Sequence, residues 1–430
     1  MVGAGWAGMA AAVELAACGV PVSVFEASRS LGGRARRVDS DGTALDNGQH
    51  ILIGAYVETL TQMRRVGADP EKLLTRLPLQ LRYASGFALA APAWPAPLHL
   101  LSALLCASGL TWAQRLAAIA FMQALKRARF RVDPALTVSA LLDQHRQSGP
   151  LSKFLWEPLC VSALNTPALS ASAQVFASVL RDSLTGKREN SDLLLPRVDL
   201  TALFPEPAAA FITARGGEVL RGETVRHIRP EVAGTSTGTS AGWRLDERPQ
   251  HYSHVIVAVG PQHASALLSA IPELAATRAL IEAFAYQPIT TCYLQYPPGV
   301  ALPSPMLGFT GGVIQWAFDR GALSGMAGLI AAVVSASGEH QGLSQDAFGA
   351  AIHAELDARL GTLPAPLWQR VITEKRATFA CHPGLRRPAH RTAQPGLLLA
   401  GDYTDSPYPA TLETAVRSGI ACARIVTAGA

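Results

Sequence analysis

The sequence predicts an α/β protein of two domains, in which a domain built on βαβ units is interrupted by an inserted α+β domain. Three observations predict this architecture: a glycine-rich turn at residues 3–8, an apolar strand pattern that ends at Glu26, and a second buried-strand pattern, 396–399, followed by Gly401 and Asp402. Helical and half-buried strand patterns fill the long interval between them. The chain therefore begins and ends with segments typical of one domain.

The opening turn reads G-x-G-x-x-G. Gly3 permits a tight turn, Gly5 lets the backbone approach a pyrophosphate, and Gly8 lets the following helix pack on the sheet. Free N–H groups and the helix dipole favour a pyrophosphate at that helix N-terminus. Glu26, at the tip of the next strand, can accept hydrogen bonds from ribose hydroxyls. These features predict a Rossmann-like domain that binds a dinucleotide.

Two further segments indicate a flavin dinucleotide. Gly32 and Gly33 permit close backbone approach, and the planar guanidinium of Arg34 suits a phosphate. The segment 396–402 supplies another buried strand ending in a glycine and an acid. A nicotinamide enzyme of the ordinary kind needs neither segment, whereas a flavin dinucleotide held along its whole length needs both. FAD is therefore the expected cofactor.

Composition narrows the classes of protein further. Of 430 residues, 49% are hydrophobic and only 16% charged, which is unusually apolar for a freely soluble enzyme. The net charge of +5 favours an anionic lipid surface, but no dense basic stripe indicates nucleic-acid binding. The six cysteines form no C-x-x-C pair and the histidines show no ligand spacing, so we expect reduced thiols, a cytoplasmic protein and no metal site.

The N-terminal pattern predicts a helix over 6–17, ended by Gly19, and then the strand that ends at Glu26. Residues 44–53 are expected to cross back toward the cofactor, and 55–66 to form a helix. A first strand of about five residues normally precedes such a glycine turn. Only two residues stand there, so we expect the reading frame to begin upstream. Glu14 and the absence of a basic start argue against a signal peptide.

A stretch without Asp, Glu, Lys or Arg extends from Tyr83 to Gln114. Prolines interrupt it, and its proline-free part is shorter than the about 20 residues of a membrane span. Two interpretations stay open: buried helices of the inserted domain, or a membrane-dipping entrance for an oily substrate. Basic residues follow, as they do beside a membrane face; they are Arg115, Lys126, Arg127, Arg129 and Arg131.

The rest of the chain alternates between the two domains. Residues 136–204 have an irregular helical pattern, and Pro205 starts another helix. The pattern then predicts strands at 216–228, 243–245, 254–259, 290–296, 312–318 and 329–335, a turn at 234–242, and helices at 345–360 and 409–423. In the last helix, small residues recur every four positions, which permits close packing on the sheet.

Several segments together resemble the flavin-dependent amine oxidase and phytoene desaturase superfamily. They are residues 3–36, the sequence Asp-Asn-Gly-Gln-His at 46–50, the sequence Ala-Gly-Asp-Tyr-Thr-Asp at 400–405, and residues 409–419. Within that superfamily, 46–50 and 401–405 are most similar to the squalene-associated, desaturase-like hydroxysqualene dehydroxylases. The resemblance covers nearly the whole chain, strongly at both ends and loosely in the middle.

This resemblance implies an amine oxidase-like flavoprotein with discontinuous domains. The FAD-binding domain would comprise 1–75, 205–284 and 371–430, and the substrate-binding domain 76–204 and 285–370. The residues expected to contact the cofactor are Gly3, Ala4, Gly5, Ala7, Gly8, Glu26, Gly33, Arg34, Gly48, Gln49, Val225, Gly401, Asp402, Thr411 and Leu412.

The same resemblance implies individual roles. The Val225 backbone would contact the adenine edge, and Asp402 the ribityl or phosphate region. The helix N-terminus at 410–412 would face the pyrimidine end of the flavin. Gln49 and His50 would lie beside the ring, where His50 acts as proton donor or as a packing and hydrogen-bonding residue. Tyr403 and Tyr408 are expected to flank the same cavity.

The activity implied is the reductive removal of the allylic hydroxyl of hydroxysqualene, giving squalene for hopanoid or other isoprenoid synthesis. Contact with the inner membrane face and with other squalene-synthesis enzymes is compatible with that activity. Three alternatives remain: a carotenoid-type desaturase, a flavin amine oxidase, and a catalytically silent flavoprotein partner of isoprenoid enzymes.

Overall fold

The computed structural model describes residues 1–40, 42–235 and 238–429. The helices are α1 Trp6–Ala17, α2 Val57–Arg65, α3 Pro70–Leu73, α4 Leu98–Leu105, α5 Trp112–Arg127, α6 Val138–Gln144, α7 Glu157–Leu164, α8 Ala173–Leu184, α9 Leu200–Leu203, α10 Pro205–Thr213, α11 Pro261–Leu268, α12 Ala275–Glu282, α13 Arg320–Ser324, α14 Gln345–Leu360 and α15 Leu412–Ala428. Short 3-10 turns lie at Arg188–Ser191, Pro272–Leu274 and Glu339–Gly342, and a π-helical turn at Ser152–Trp156.

The strands are β1 Ser23–Glu26, β2 Arg37–Ser40, β3 Thr43–Asp46, β4 Leu52–Ile53, β5 Leu74–Leu77, β6 Gln80–Arg82, β7 Ala88–Ala90, β8 Leu193–Pro196, β9 Glu218–Arg221, β10 Ile228–Thr235, β11 Gly238–Leu245, β12 His251–Tyr252, β13 Val255–Val257, β14 Tyr286–Gln295, β15 Met306–Gly308, β16 Trp316–Asp319, β17 Leu329–Ser335, β18 Trp368–Phe379 and β19 Leu397–Leu399.

A parallel sheet forms the base of the Rossmann-like region. Its order is β9, β1, Val2, β13 and β19, because Val2 bridges in parallel both to Phe25 of β1 and to Val257 of β13. Helix α1 follows Val2 and packs closely on α15, where an added Cβ on Gly419 would lie 2.1 Å from the carbonyl oxygen of Ala7. The glycine is therefore required for this helix contact.

A five-stranded antiparallel sheet forms the second region, in the order β15, β16, β17, β14, β18. Its core contains alternate residues of β14, such as Cys292 and Leu294, packed with Phe348 and Ile352 of α14. Strand β18 pairs with β14 from Trp368 to Phe379. It thus continues past residue 370, where the predicted substrate-binding domain ends. Helices α4 to α8 contribute to a second core that includes the buried aromatic residues Phe121, Trp156 and Phe176.

Most predicted elements are confirmed, some of them with shifted ends. Helices 6–17 and 345–360 and strand 329–335 have the predicted bounds. The single strand predicted over 216–228 is wrong: β9 ends at Arg221, Gly222 takes a positive φ of 75°, and β10 begins at Ile228. Most of the predicted turn 234–242 is strand, because β10 continues to Thr235 and β11 begins at Gly238. Residues 236 and 237 lie outside the described residues.

The last helix begins later and ends later than predicted. Thr411 is its N-cap and accepts a hydrogen bond from the backbone N–H of Thr414, so helical geometry starts at Leu412 rather than at Pro409. The uncharged stretch 83–114 contains β7, α4 and the start of α5, and no helix among the described residues is long and apolar enough to cross a membrane.

Glu413 joins α15 to the start of α2. Its carboxylate accepts hydrogen bonds from the N–H groups of Glu58 and Thr59 at 3.1 and 2.9 Å, and from the Thr59 hydroxyl at 2.7 Å. It thus caps a helix distant in sequence. We expect Glu413→Gln to lower the free energy of unfolding by about 1–2 kcal/mol, because an amide nitrogen would face these donors. Urea titration followed by circular dichroism measures the change.

Glu71→Gln is the matched control, because Glu71 is exposed and pairs only loosely with Arg64 and Arg76 at 3.9 and 3.6 Å. We expect a change below about 0.5 kcal/mol there. Equal effects of the two substitutions would contradict the capping role of Glu413.

Candidate functional site

A cavity of about 940 Å³ opens at the carboxyl ends of the parallel strands. The residues at these strand ends line it. Gly3 follows Val2, Glu26 ends β1, Ala258 follows β13, and Gly401 comes shortly after β19. This edge is where open α/β sheets bind ligands. The volume lies at the upper end of the range for small-molecule sites, as an extended dinucleotide requires.

The structure brings nearly all the predicted site residues together in this one cavity. Ala4 and Gly8 are the two that do not line it. The lining residues are Gly3, Gly5, Ala7, Glu26, Gly33, Arg34, Gly48, Gln49, His50, Val225, Gly401, Asp402, Thr411 and Leu412. Their individual roles stay predictions.

The glycine turn has the geometry that the motif predicts. Gly3 has a φ of 103°, and an added Cβ on Gly8 would lie 2.0 Å from the carbonyl oxygen of Gly3. Gly8 therefore acts through packing. Gly5 is the N-cap of α1 and provides no side-chain cap, so the first N–H groups of this helix are available beside the cavity.

The carboxylate of Glu26 is held by backbone donors at the strand tip. Its Oε2 accepts from the N–H of Ala4 at 2.7 Å and its Oε1 accepts from the N–H of Ser28 at 2.9 Å. Ala4 thus contributes by orienting Glu26. A carboxylate has about four lone-pair positions, so capacity remains for ligand hydroxyls.

Arg34 and Asp402 bind each other, which the sequence does not reveal. Arg34 Nη2 donates to Asp402 Oδ1 at 2.6 Å, and Nη1 donates to the carbonyl oxygen of Ala377 at 2.7 Å. Burial by itself lowers the pKa of Arg34, but Asp402 outweighs burial, so the pKa lies above its ordinary value. The pair joins the 31–36 loop to the segment after β19.

The segment 46–50 is anchored on its far side by a buried arginine. Arg320, which is 4% exposed, donates to Gln49 Oε1 at 2.9 Å and lies 4.0 Å from Asp46. Burial raises the pKa of Asp46 to about 6. Sequence reasoning missed Arg320, whose only signal is a single basic residue directly after a buried strand.

His50 lines the cavity, and a backbone contact orients its ring. Its Nδ1 is 2.9 Å from the carbonyl oxygen of Gly48, so Nδ1 carries the hydrogen and Nε2 is the free acceptor. Burial lowers the pKa of His50; the Gly48 carbonyl opposes this shift and Arg34 adds to it. His50 can therefore donate a proton from Nε2 only in its imidazolium form.

The two tyrosines predicted to flank the cavity differ in position. Tyr403 lines it, and its buried hydroxyl has no hydrogen-bond partner in the part of the chain that the structure describes. Tyr408 is not a lining residue, and that expectation was wrong. Its hydroxyl instead donates to Asp182.

One end of the cavity is apolar. Side chains from the antiparallel sheet and its surroundings line it; they are Ile51, Ala163, Ile289, Trp316, Phe318 and Val333. Sequence reasoning did not assign them, although the period-two spacing of Trp316 and Phe318 indicates one face of a strand. The cavity therefore joins a polar region at the glycine turns to an apolar region at the sheet.

These features fit FAD. Gly5 and Gly33 face each other, since an added Cβ on Gly33 would lie 3.2 Å from the Cα of Gly5, which leaves a groove of bare backbone. The start of α1, the Glu26 carboxylate and the unpartnered Tyr403 hydroxyl supply polar groups along it. Thr411 and Leu412 bring the N-terminus of α15 to the same cavity.

Known proteins resemble this chain in sequence. The family described as flavin containing amine oxidoreductase matches residues 6–427. A hydroxysqualene dehydroxylase from Rhodopseudomonas palustris is 30% identical over 443 residues, covering 100% of this chain and 98% of the relative. One from Zymomonas mobilis is 28% identical and covers 97% and 96%.

Solved structures show the same fold. Cyclohexylamine oxidase from Brevibacterium oxydans superimposes with a TM-score of 0.68 at 18% identity, covering 100% of this chain and 98% of that one. The predicted α/β fold, an FAD-binding region with an inserted α+β region, is thereby confirmed. By sequence, fold and cavity, the chain belongs to the flavin-containing amine oxidoreductase family and is an FAD-dependent oxidoreductase.

Proposed function

We propose that this enzyme removes the allylic hydroxyl of hydroxysqualene reductively. The alcohol R–OH and two reducing equivalents with their protons become R–H and water, and the product is squalene. The observation that carries the proposal is the apolar end of the cavity beside Gln49 and His50, together with full-length similarity to hydroxysqualene dehydroxylases. A nearly featureless hydrocarbon is bound by such a surface through burial alone.

The chain's own residues would hold FAD along the cavity. Glu26 would accept from the ribose, the α1 N-terminus would face the pyrophosphate, and Val225 would approach the adenine. When bound and reduced, FAD supplies the hydride. The N-terminus of α15 would stabilise negative charge at the pyrimidine end, because its free N–H groups and dipole favour an anion.

Departure of the hydroxyl as water needs a proton at its oxygen, and His50 is the candidate donor. Because burial lowers its pKa below the usual 6.5, the imidazolium form is populated only in acid. We therefore expect the single-turnover rate to fall as pH rises through that lowered pKa, so that the fall lies on the acid side of pH 6.5. His50→Gln should be slow, and its rate should not change with pH over the range in which the native rate falls.

The measurement is anaerobic stopped-flow absorbance of the flavin after mixing reduced enzyme with hydroxysqualene. His353→Gln is the control, since His353 bonds to Tyr296 and does not line the cavity. A His50→Gln variant that keeps the pH dependence of the native enzyme would exclude His50 as the donor.

We also propose that α4 and the start of α5 contact an anionic membrane surface. Trp94, Leu98, Trp112 and Leu116 are between 51% and 65% exposed, and no Asp or Glu occurs between Tyr83 and Val132. The exposed bases Lys126, Arg127, Arg129 and Arg131 follow at the other end of α5. Exposed aromatic and aliphatic side chains suit a lipid interface, and bases at the end of the same helix favour an anionic one.

The double variant Trp112→Ser/Leu116→Ser is expected to bind vesicles containing phosphatidylglycerol at least about tenfold more weakly, because two inserted side chains are lost. Co-sedimentation measures binding. Leu169→Ser/Leu367→Ser is the matched control, at 79% and 67% exposure elsewhere on the surface. An equal loss of vesicle binding in the two double variants, or binding that does not depend on the lipid charge, would contradict this membrane-contacting surface.

The assay for the reaction itself is anaerobic addition of hydroxysqualene to the reduced holoenzyme. Flavin reoxidation with one squalene per flavin is the expected result. Turnover of phytoene or of an amine instead would favour a desaturase or an amine oxidase. A flavin that exchanges no electrons with any of these compounds would favour the silent partner.

A further inference from the structure

A second, smaller cavity of about 220 Å³ lies next to the main one. Its walls include the apolar side chains Val161, Phe309 and Ile314, while the lining residues Lys153 and Glu157 are exposed. We refer to this cavity as the vestibule. An apolar floor with a charged rim suits an apolar molecule that arrives from the surface.

A hydrogen bond joins the two residues that line both the vestibule and the main cavity. Ser162 of α7 and Trp316 of β16 line both spaces, and Trp316 Nε1 donates to Ser162 Oγ at 3.0 Å. The bond thus links a helix to a sheet across the boundary. Trp316 is 6% exposed and is therefore buried at this boundary.

The ring of Trp316 is confined on one side. Gly308 lies behind it, where an added Cβ would be 2.9 Å from the Trp316 ring and 2.7 Å from the ring of Tyr83. The two rings pack with centroids 5.4 Å apart. Movement of Trp316 is therefore directed away from β15, into one of the two cavities that it separates.

We propose that the Ser162–Trp316 hydrogen bond closes a gate, and that the vestibule receives one end of a long isoprenoid chain before the chain passes into the main cavity. The identification of the chain as isoprenoid rests on the proposed function. The main cavity has to hold FAD as well as the reacting part of the substrate, so a thirty-carbon chain needs the additional space. With the gate open, the two spaces are continuous.

The test uses two saturated hydrocarbons that undergo no reaction. Squalane has thirty carbons and 2,6-dimethyloctane has ten. Binding of each, delivered in cyclodextrin, to the oxidised holoenzyme is followed by stopped-flow tryptophan and flavin fluorescence. In Ser162→Ala and in Trp316→Phe, we expect squalane to associate about fivefold faster. Loss of one neutral hydrogen bond typically shifts the equilibrium between the closed and the open gate by about that factor. The ten-carbon probe, which fits one cavity, should associate unchanged.

Ser170→Ala and Trp368→Phe are matched controls, because neither residue lines either cavity. An equal change for both probes, or no change for squalane in the two gate variants, would overturn the gate. If one gate variant loses FAD, the other decides. Gating of squalane without conversion of hydroxysqualene would refute the proposed reaction while leaving the gate for long chains intact.

Discussion

Replacing Gly419 by alanine is expected to destabilise the protein by about 3 kcal/mol and to leave it without bound FAD. The new Cβ would lie 2.1 Å from the carbonyl oxygen of Ala7 and 2.9 Å from the nitrogen of Ala11. Both are backbone atoms of a helix, so no side-chain rotation can relieve the contact. Helix α1 must shift, and its N-terminus at the cavity shifts with it.

Thermal unfolding and the ratio of flavin to protein absorbance after gel filtration measure the two effects. Gly429→Ala is the matched control at the C-cap of the same helix, because a Cβ there would meet its nearest atom at 3.7 Å. We expect that variant to keep its flavin and its melting temperature. A Gly419→Ala variant that retains both would show that the contact between α1 and α15 is not needed to hold FAD.

Breaking the pair between Arg34 and Asp402 is expected to have an effect nearly as large. Asp402→Asn leaves the Arg34 guanidinium without its anion at a site where the two side chains are 28% and 9% exposed. Loss of one partner of a fully buried pair costs about 3–5 kcal/mol, and the partial exposure of Arg34 reduces our expectation to about 2–3 kcal/mol. Because both residues line the cavity, affinity for FAD should fall as well.

A double-mutant cycle separates the pair from its surroundings. Arg34→Met/Asp402→Asn should be less destabilised than the sum of the single variants, with a coupling energy of about 1–2 kcal/mol in urea titrations. Arg221 and Glu206 form an exposed bidentate pair at 2.6 and 2.7 Å, for which the same cycle should give less than about 1 kcal/mol. Equal coupling in both pairs would contradict a special contribution of Arg34.

The local features could be predicted because their signals lie close together in the sequence. The glycine turn, α1 and the strand ending at Glu26 occupy consecutive residues, and each has its own chemical constraint. Strand β17 and helix α14 followed from apolar periodicity and helix length. The resemblance supplied the remaining cofactor residues. Of the whole predicted set, Ala4 and Gly8 are the two that do not line the cavity.

The remaining features depend on contacts that sequence spacing does not encode. Arg34 meets Asp402 across 368 positions, and Arg320 meets Gln49 across 271. The partition between Ser162 and Trp316 arises from a helix and a strand 154 positions apart. The failure at 216–228 has a local cause, since Gly222 ends a pattern that otherwise alternates like a continuous strand.

The parallel sheet contains strands from both ends of the chain, and this has a consequence for biosynthesis. Strand β1 ends at Glu26, but β19 begins only at Leu397 and the helix that covers α1 follows it. At about 5–20 residues per second, the ribosome needs roughly 20–75 s to make the intervening chain. Throughout that interval the apolar surface of α1 lacks α15, so this part of the cofactor-binding region cannot be completed until α15 has been made.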